Sequence, residues 1–136
     1  MTALNLIGCV GAALGELSPF PKPISIWLHF ESASNSDVSE LTSIVLRLGA
    51  AHLATSGIEA EHIHDEIDEC LIELERDDVS TTWHHEDMAE IAWDLTNVSF
   101  ATPATATILL VVISDDERVA LQKLSEIFAL VGVSME

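Results

Sequence analysis

Thr107-Ile108-Leu109-Leu110-Val111-Val112-Ile113 is a continuous apolar run rich in β-branched residues. A strand with one wet face alternates apolar and polar side chains. An unbroken run suits a strand covered on both faces, the habit of parallel sheets. The residues that follow are Ser114-Asp115-Asp116, good helix-capping chemistry. A last helix is expected over Glu117–Leu130, with Leu121, Leu124, Phe128 and Val131 on its apolar stripe.

Working back from that run, Pro103 marks a loop, and Glu86–Thr96 reads as a helix with Met88, Ile91, Ala92 and Leu95 facing inward. Val79–Trp83 reads as a short strand. Ile58–Glu75 reads as an amphipathic helix with Ile63, Ile67, Cys70, Leu71 and Leu74 on its stripe and an acidic opposite face. Ala50–Thr55, closed by Ser56-Gly57, is the weakest strand of the set. A helix from Asp37 to about Leu48 precedes it, with Ser36 expected as N-cap and Gly49 as the stop.

Ile24-Ser25-Ile26-Trp27-Leu28-His29-Phe30-Glu31 alternates at period 2. Ile24, Ile26, Leu28 and Phe30 share one face. Trp27 and His29 share the other, which is expected to be partly buried. Pro19, Pro21 and Pro23 impose an extended entry to this strand. Met1–Leu17, with Gly8, Gly11 and Gly15, is compatible with an arm, a short helix or a strand.

The order β-α-β-α-β-α-β-α predicts an α/β three-layer sandwich around a mostly parallel sheet of about four strands. Without a strand at His52–Thr55 the count drops to three. The chain of 136 residues is read as one domain, residues 1–136, with 1–23 as an apolar arm and proline-rich lead-in.

The apolar fraction of 49% supplies a core and excludes disorder by composition. Five basic residues stand against 23 acids, for a net charge of −18. That balance argues against binding nucleic-acid phosphates and against an anionic membrane surface. Cys9 and Cys70 lie far apart in apolar contexts, with neither metal nor redox spacing. The apolar stretch Leu4–Leu14 has no basic residue before it and is too short to span a bilayer. A cytoplasmic location is expected.

Ligands of open α/β sheets bind beyond the carboxyl ends of the strands. Those ends read Glu31-Ser32, Thr55-Ser56-Gly57, His84-His85-Glu86-Asp87 and Ser114-Asp115-Asp116. Ser and Asp at such points also serve as helix caps. No lysine-bearing phosphate loop is present, and the early glycines do not make a dinucleotide fingerprint.

A metal site would draw on His64 and Asp68, one helical turn apart, with His84 and His85 from the next strand end. His62 points about 200° away from His64 and cannot join it. The alternative for these groups is a solvated face. Neither cysteine suits a nucleophile, and no G-x-S-x-G elbow exists. The chain is therefore expected not to be an enzyme and to carry no cofactor.

The acidic surface has the most force. Glu59 to Asp94 holds fourteen acids and a single base, Arg76. Such a surface serves solubility, or it steers a basic partner. Trp83 and Trp93 lie among these acids, and Trp is favoured at interface hot spots as well as in cores.

In size, charge and style of fold the chain resembles bacterial immunity proteins, the antidotes of interbacterial toxin systems. Residues 24–96 also resemble a bacterial family without assigned function. That family shares a W-L-H-x-E strand, here Trp27-Leu28-His29-Phe30-Glu31, an H-D-x-I-D helix, here His64-Asp65-Glu66-Ile67-Asp68, and a T-T-W-H turn, here Thr81-Thr82-Trp83-His84. The first resemblance implies a cognate toxin domain as partner, basic in charge, with its active site occluded. Contacts are then expected from Glu59, Glu61, Asp65, Asp68, Glu69, Trp83 and Asp87. The competing readings are a small metal-dependent enzyme or metal-binding domain using His64, Asp68, His84 and His85, and an acidic nucleic-acid mimic.

Overall fold

The computed structural model describes residues 5–21, 23–32, 37–95 and 107–131. These residues build a five-stranded, wholly parallel sheet with helices on both faces. The strands are β1 (Asn5–Val10), β2 (Ile24–Phe30), β3 (Ala50–Gly57), β4 (Ser80–His84) and β5 (Thr107–Ile113), in the spatial order β1-β5-β2-β3-β4. The helices are α1 (Val38–Leu48), α2 (Ala60–Glu73), α3 (Met88–Asp94) and α4 (Glu117–Leu130). A 3-10 turn, Gly11–Glu16, follows β1.

The α/β sandwich expected from the sequence is the fold, with one strand more than expected. Asn5–Val10, part of the segment Met1–Leu17 that the sequence leaves open, pairs with β5 in register from Asn5↔Thr107 to Val10↔Val112. Gly8 suits this strand because a Cβ there would lie 2.7 Å from the Phe128 ring and 2.8 Å from Leu124 Cδ1. The small residue lets α4 sit close over β1. Ala50–Gly57, the doubtful strand, is the longest of the five and pairs with both β2 and β4.

Alternation along the central strands sorts the core into two layers. Ile26, Leu28, Phe30, Leu53, Leu109 and Val111 face α1 and α2, where they meet Leu41, Val45, Ile67 and Leu71. Trp27, Ala54, Ile108, Leu110 and Val112 face α3 and α4, where they meet Ile91, Leu124, Ile127 and Phe128. β5 is thus covered on both sides, which is why its run is unbroken. β2 lies between β5 and β3, so its second face is no rim: Trp27 is 0% and His29 5% exposed. The expectation of partial burial there is corrected.

Several boundaries move for local reasons. Asp37, not Ser36, caps α1: its Oδ1 accepts the Glu40 amide at 3.2 Å; Ser36 lies outside the described residues. α2 begins at Ala60 and ends at Glu73, short of Ile58–Glu75, because Glu59 and Glu75 adopt positive φ of 57° and 56°. Gly57 precedes that turn at φ 90°, and a Cβ on it would stand 2.1 Å from the Phe30 carbonyl oxygen. Leu74, expected on the α2 stripe, therefore lies beyond the helix and is 51% exposed. β4 runs one residue later than Val79–Trp83. α3 starts after its cap Asp87 rather than at Glu86, and Thr96 lies outside the described residues. Leu121 on α4 is 45% exposed, while Ala120, Leu124, Ile127 and Phe128 form the buried stripe.

Candidate functional site

β2 leads into α1 on one face and β5 into α4 on the other, so the two neighbours flank the topological switch point, where ligands of such sheets bind. Here the chain closes the strand ends with its own groups. The Glu31 amide donates to the Ile113 carbonyl at 2.8 Å, and the Asp115 amide donates to Ser32 Oγ at 3.0 Å. Asp116 caps α4 by accepting the Arg118 amide at 2.9 Å. Asp116 acts as the capping alternative predicts, while Ser32 ties the end of β2 to the loop before α4.

Beside this point lies a polar chain that the sequence reading did not connect. Trp27 Nε1 donates to Ser56 Oγ at 2.7 Å, and Ser56 Oγ lies 2.7 Å from His29 Nδ1. The Glu31 carboxylate beside Nε2 can only accept, so the neutral ring keeps its proton on Nε2, and Nδ1 accepts from the Ser56 hydroxyl. His29 is thereby the Nε2–H tautomer and donates to Glu31 Oε2 at 3.0 Å. Lys123 from α4 stands 3.8 Å from the other Glu31 oxygen. Burial pushes the His29 pKa down, and the Glu31 contact only partly opposes it. Ser56 is fully buried, so its hydroxyl fastens strand ends together instead of facing solvent. The register His29↔Ser56↔His84 across β2, β3 and β4 carries the signal, but it exists only once the strands are paired.

The acidic face forms on the other side of the sheet, where α2 packs against β4. Thr81 and Trp83 point toward α2. Thr81 Oγ1 donates to Asp68 Oδ1 at 2.6 Å and sits 3.1 Å from His64 Nε2. His64 Nδ1 lies 3.0 Å from Asp65 Oδ1, and its Nε2 lies 3.6 Å from Asp68 Oδ2. Around the start of α2, Glu59, Glu61, His62 and Asp65 join Trp83 and His85 to line a concavity of about 430 Å³. The Trp83 and His85 rings are 5.2 Å apart and tilted by 48°. Among its lining residues there is no lysine or arginine.

A second concavity of about 520 Å³ lies further along the same side, lined by Asp68, Leu71, Ile72, Glu75, Asp77 and Val79. Arg76 also borders it, held by Asp78 through two contacts of 2.9 and 3.1 Å. That pairing holds the Asp78 carboxyl below its usual range.

Four of the seven expected contact residues, Glu59, Glu61, Asp65 and Trp83, therefore share one hollow. Asp68 borders the second hollow and is bonded to Thr81. Glu69 is exposed and lines neither. Asp87 caps α3, accepting the Glu90 amide at 3.1 Å. His62, set aside because it points away from His64, also lines the hollow, and its Nε2 lies 2.6 Å from Glu66 Oε1 one turn along α2.

The four alternative metal ligands do not form one group. His64 and Asp68 meet, but His84 lies on the opposite face of β4, where its Nε2 is 3.0 Å from Thr82 Oγ1. His85 lines the Trp83 hollow. Among the described residues no three His, Cys, Asp or Glu side chains are placed to hold a metal ion. Nor, among them, is any helix long and apolar enough to cross a membrane.

Comparison with curated proteins yields no match. A family model, by contrast, spans most of the sheet and all four helices: residues 10–129 match the Domain of unknown function (DUF7684), and the chain belongs to that family.

Proposed function

We propose that this chain is a non-enzymatic binding protein that receives a basic protein partner on the side where α2 meets β4. Its biological role in this reading is that of an immunity protein, which neutralises a cognate toxin domain by covering its active site. The observation that supports it most is the hollow that Glu59, Glu61 and Asp65 line together with Trp83, with no lysine or arginine in its lining. A partly desolvated aromatic ring beside several acids is a good seat for a lysine or arginine side chain. The wider acidic segment adds long-range attraction, which raises the association rate and selects against acidic competitors.

The test is co-expression. The polypeptide encoded beside this gene is produced with and without this protein, and surviving cells are counted. Rescue together with co-purification is the expected result. A toxic neighbour that is neither rescued nor bound overturns the immunity reading. Glu61→Lys with Asp65→Lys separates the surface from the fold. These exposed carboxylates are expected to reverse without unfolding the chain, and rescue should fail.

A further inference from the structure

We propose that the partner docks by strand addition: a basic, extended segment of the partner protein pairs with the free edge of β4 and becomes the sixth strand of the sheet. This rests on the reading above and specifies how that surface is used. β4 ends the strand order and pairs with β3 alone. Among the described residues no backbone group pairs with its outer side. An open edge is a template for another chain, and proteins usually blunt it with charged residues, proline or a bulge. Ser80-Thr81-Thr82-Trp83-His84 carries no acid, lysine, arginine or proline, and its pairing with β3 shows no register shift.

The surroundings of the edge say what would pair there. Val79, Thr81, Trp83 and His85 share the parity that faces α2. Val79 borders the larger hollow and Trp83 the smaller one. Trp83 lies four positions along the chain from Val79, about 13 Å at about 3.3 Å per residue. A strand added beside β4 presents alternate side chains to that face. Its residues i and i+4 then stand over the two hollows, and residue i+2 stands over Thr81 and Asp68. Glu61, Asp65, Asp68, Glu75 and Asp77 supply the charge at those positions, so lysine or arginine at i, i+2 and i+4 is the matching pattern.

A second copy of this chain is the other candidate for the edge. Two copies would bring their acidic α2 faces together, each with a net charge of −18, and that repulsion opposes pairing. The charge therefore selects a basic partner. Main-chain hydrogen bonds supply affinity and the two hollows supply selection, the division of labour seen in strand-addition complexes.

The probe is the capped heptapeptide Lys-Val-Lys-Val-Lys-Val-Lys, titrated into the full chain at low salt. Its comparison is the same peptide N-methylated at every backbone nitrogen, which keeps the charge and removes the donors. The expected result is slower amide exchange at Ser80–His84 with the first peptide. Binding of the methylated one should be at least about tenfold weaker, as loss of two or three backbone bonds implies. Equal binding of the two, or unchanged exchange at β4, overturns strand addition and leaves the acidic-surface reading standing. Failure of both peptides to bind also overturns strand addition, and the rescue experiment decides the wider reading independently.

Discussion

Ser56 Oγ lies 2.7 Å from His29 Nδ1, between neighbouring parallel strands, while the Trp27 indole donates to the same oxygen. One hydroxyl thus satisfies two buried groups that have no water to turn to. Ser56→Ala leaves both unpaired and is expected to cost about 2 kcal/mol. Urea unfolding measures this. Against a Trp27→Phe background, where the indole donor is already gone, the same change should cost less. Equal costs in both backgrounds would show that the indole bond contributes nothing.

His29 makes stability depend on pH. Its folded pKa lies below the ordinary value of 6.5, so the unfolded chain binds the proton more readily. Stability from the neutral buried ring is full above about pH 6.5 and is lost as the pH falls toward the folded pKa. The urea midpoint should therefore drop between pH 7 and pH 5. His29→Gln retains an N–H donor and does not titrate, so its midpoint should vary less over that window. An unchanged slope would locate the dependence in the carboxylates.

Two glycines should differ sharply in their tolerance of a methyl group. At Gly57 the new Cβ meets the Phe30 carbonyl oxygen at 2.1 Å, and φ is 90°. That oxygen also accepts the Ile58 amide at 2.9 Å, so it has no freedom to retreat. Gly57→Ala is expected to cost about 3 kcal/mol or more, with the turn into α2 displaced. At Gly8 the clashing atoms are the ends of Phe128 and Leu124, which can shift, so Gly8→Ala should cost about 1–2 kcal/mol. Thermal unfolding of the two variants ranks them.

Cys9 is expected to be inert. Burial pushes its thiol up to about 11 from 9.0. At pH 8 this lowers the thiolate fraction about a hundredfold, and the thiolate is the reactive form. Alkylation by iodoacetamide should be correspondingly slow in the folded chain and ordinary in 8 M urea (about the concentration that unfolds most domains). Mass spectrometry of the labelled Cys9 peptide reads this directly. Fast labelling in the folded state would mean that β1 opens readily at the sheet edge.

Charge reversal tests the acidic face more cleanly at some positions than at others. Asp68→Lys breaks the Thr81 bond and Asp87→Lys removes a helix cap, so either mixes fold with binding. Among the described residues Glu61 makes no such bond and Asp65 only the exposed contact with His64, so Glu61→Lys and Asp65→Lys should leave the unfolding midpoint nearly unchanged and slow association with a basic partner. The slowing should shrink as salt rises, because screening already weakens the attraction. Stopped-flow association at two salt concentrations checks both points.

The elements were legible where one local pattern dominated. The Thr107–Ile113 run marked a doubly covered strand, the alternation of Ile24–Phe30 marked another, and Gly49 marked the end of α1, where it adopts φ 100°. The acidic hollow was half legible. Glu59, Glu61, Asp65 and Trp83 were picked by charge and residue type, but nothing local distinguished them from Glu69, which lines no hollow, or from Asp87, which caps a helix.

What sequence alone determined was the alternation of helix and strand, the parallel sheet, and the concentration of acid between residues 59 and 94, because each is set by neighbours along the chain. Only the tertiary structure decided that Asn5–Val10 joins the sheet. Its one glycine, Gly8, is a poor strand former until the space beneath α4 requires it. Likewise, only pairing joined His29 to Ser56, separated by 27 residues, and set Trp83 beside Glu59 and Asp65 at an open edge. Strand order and register are long-range choices. They follow from how two apolar layers close over both faces of one sheet, and that is a property of the whole chain.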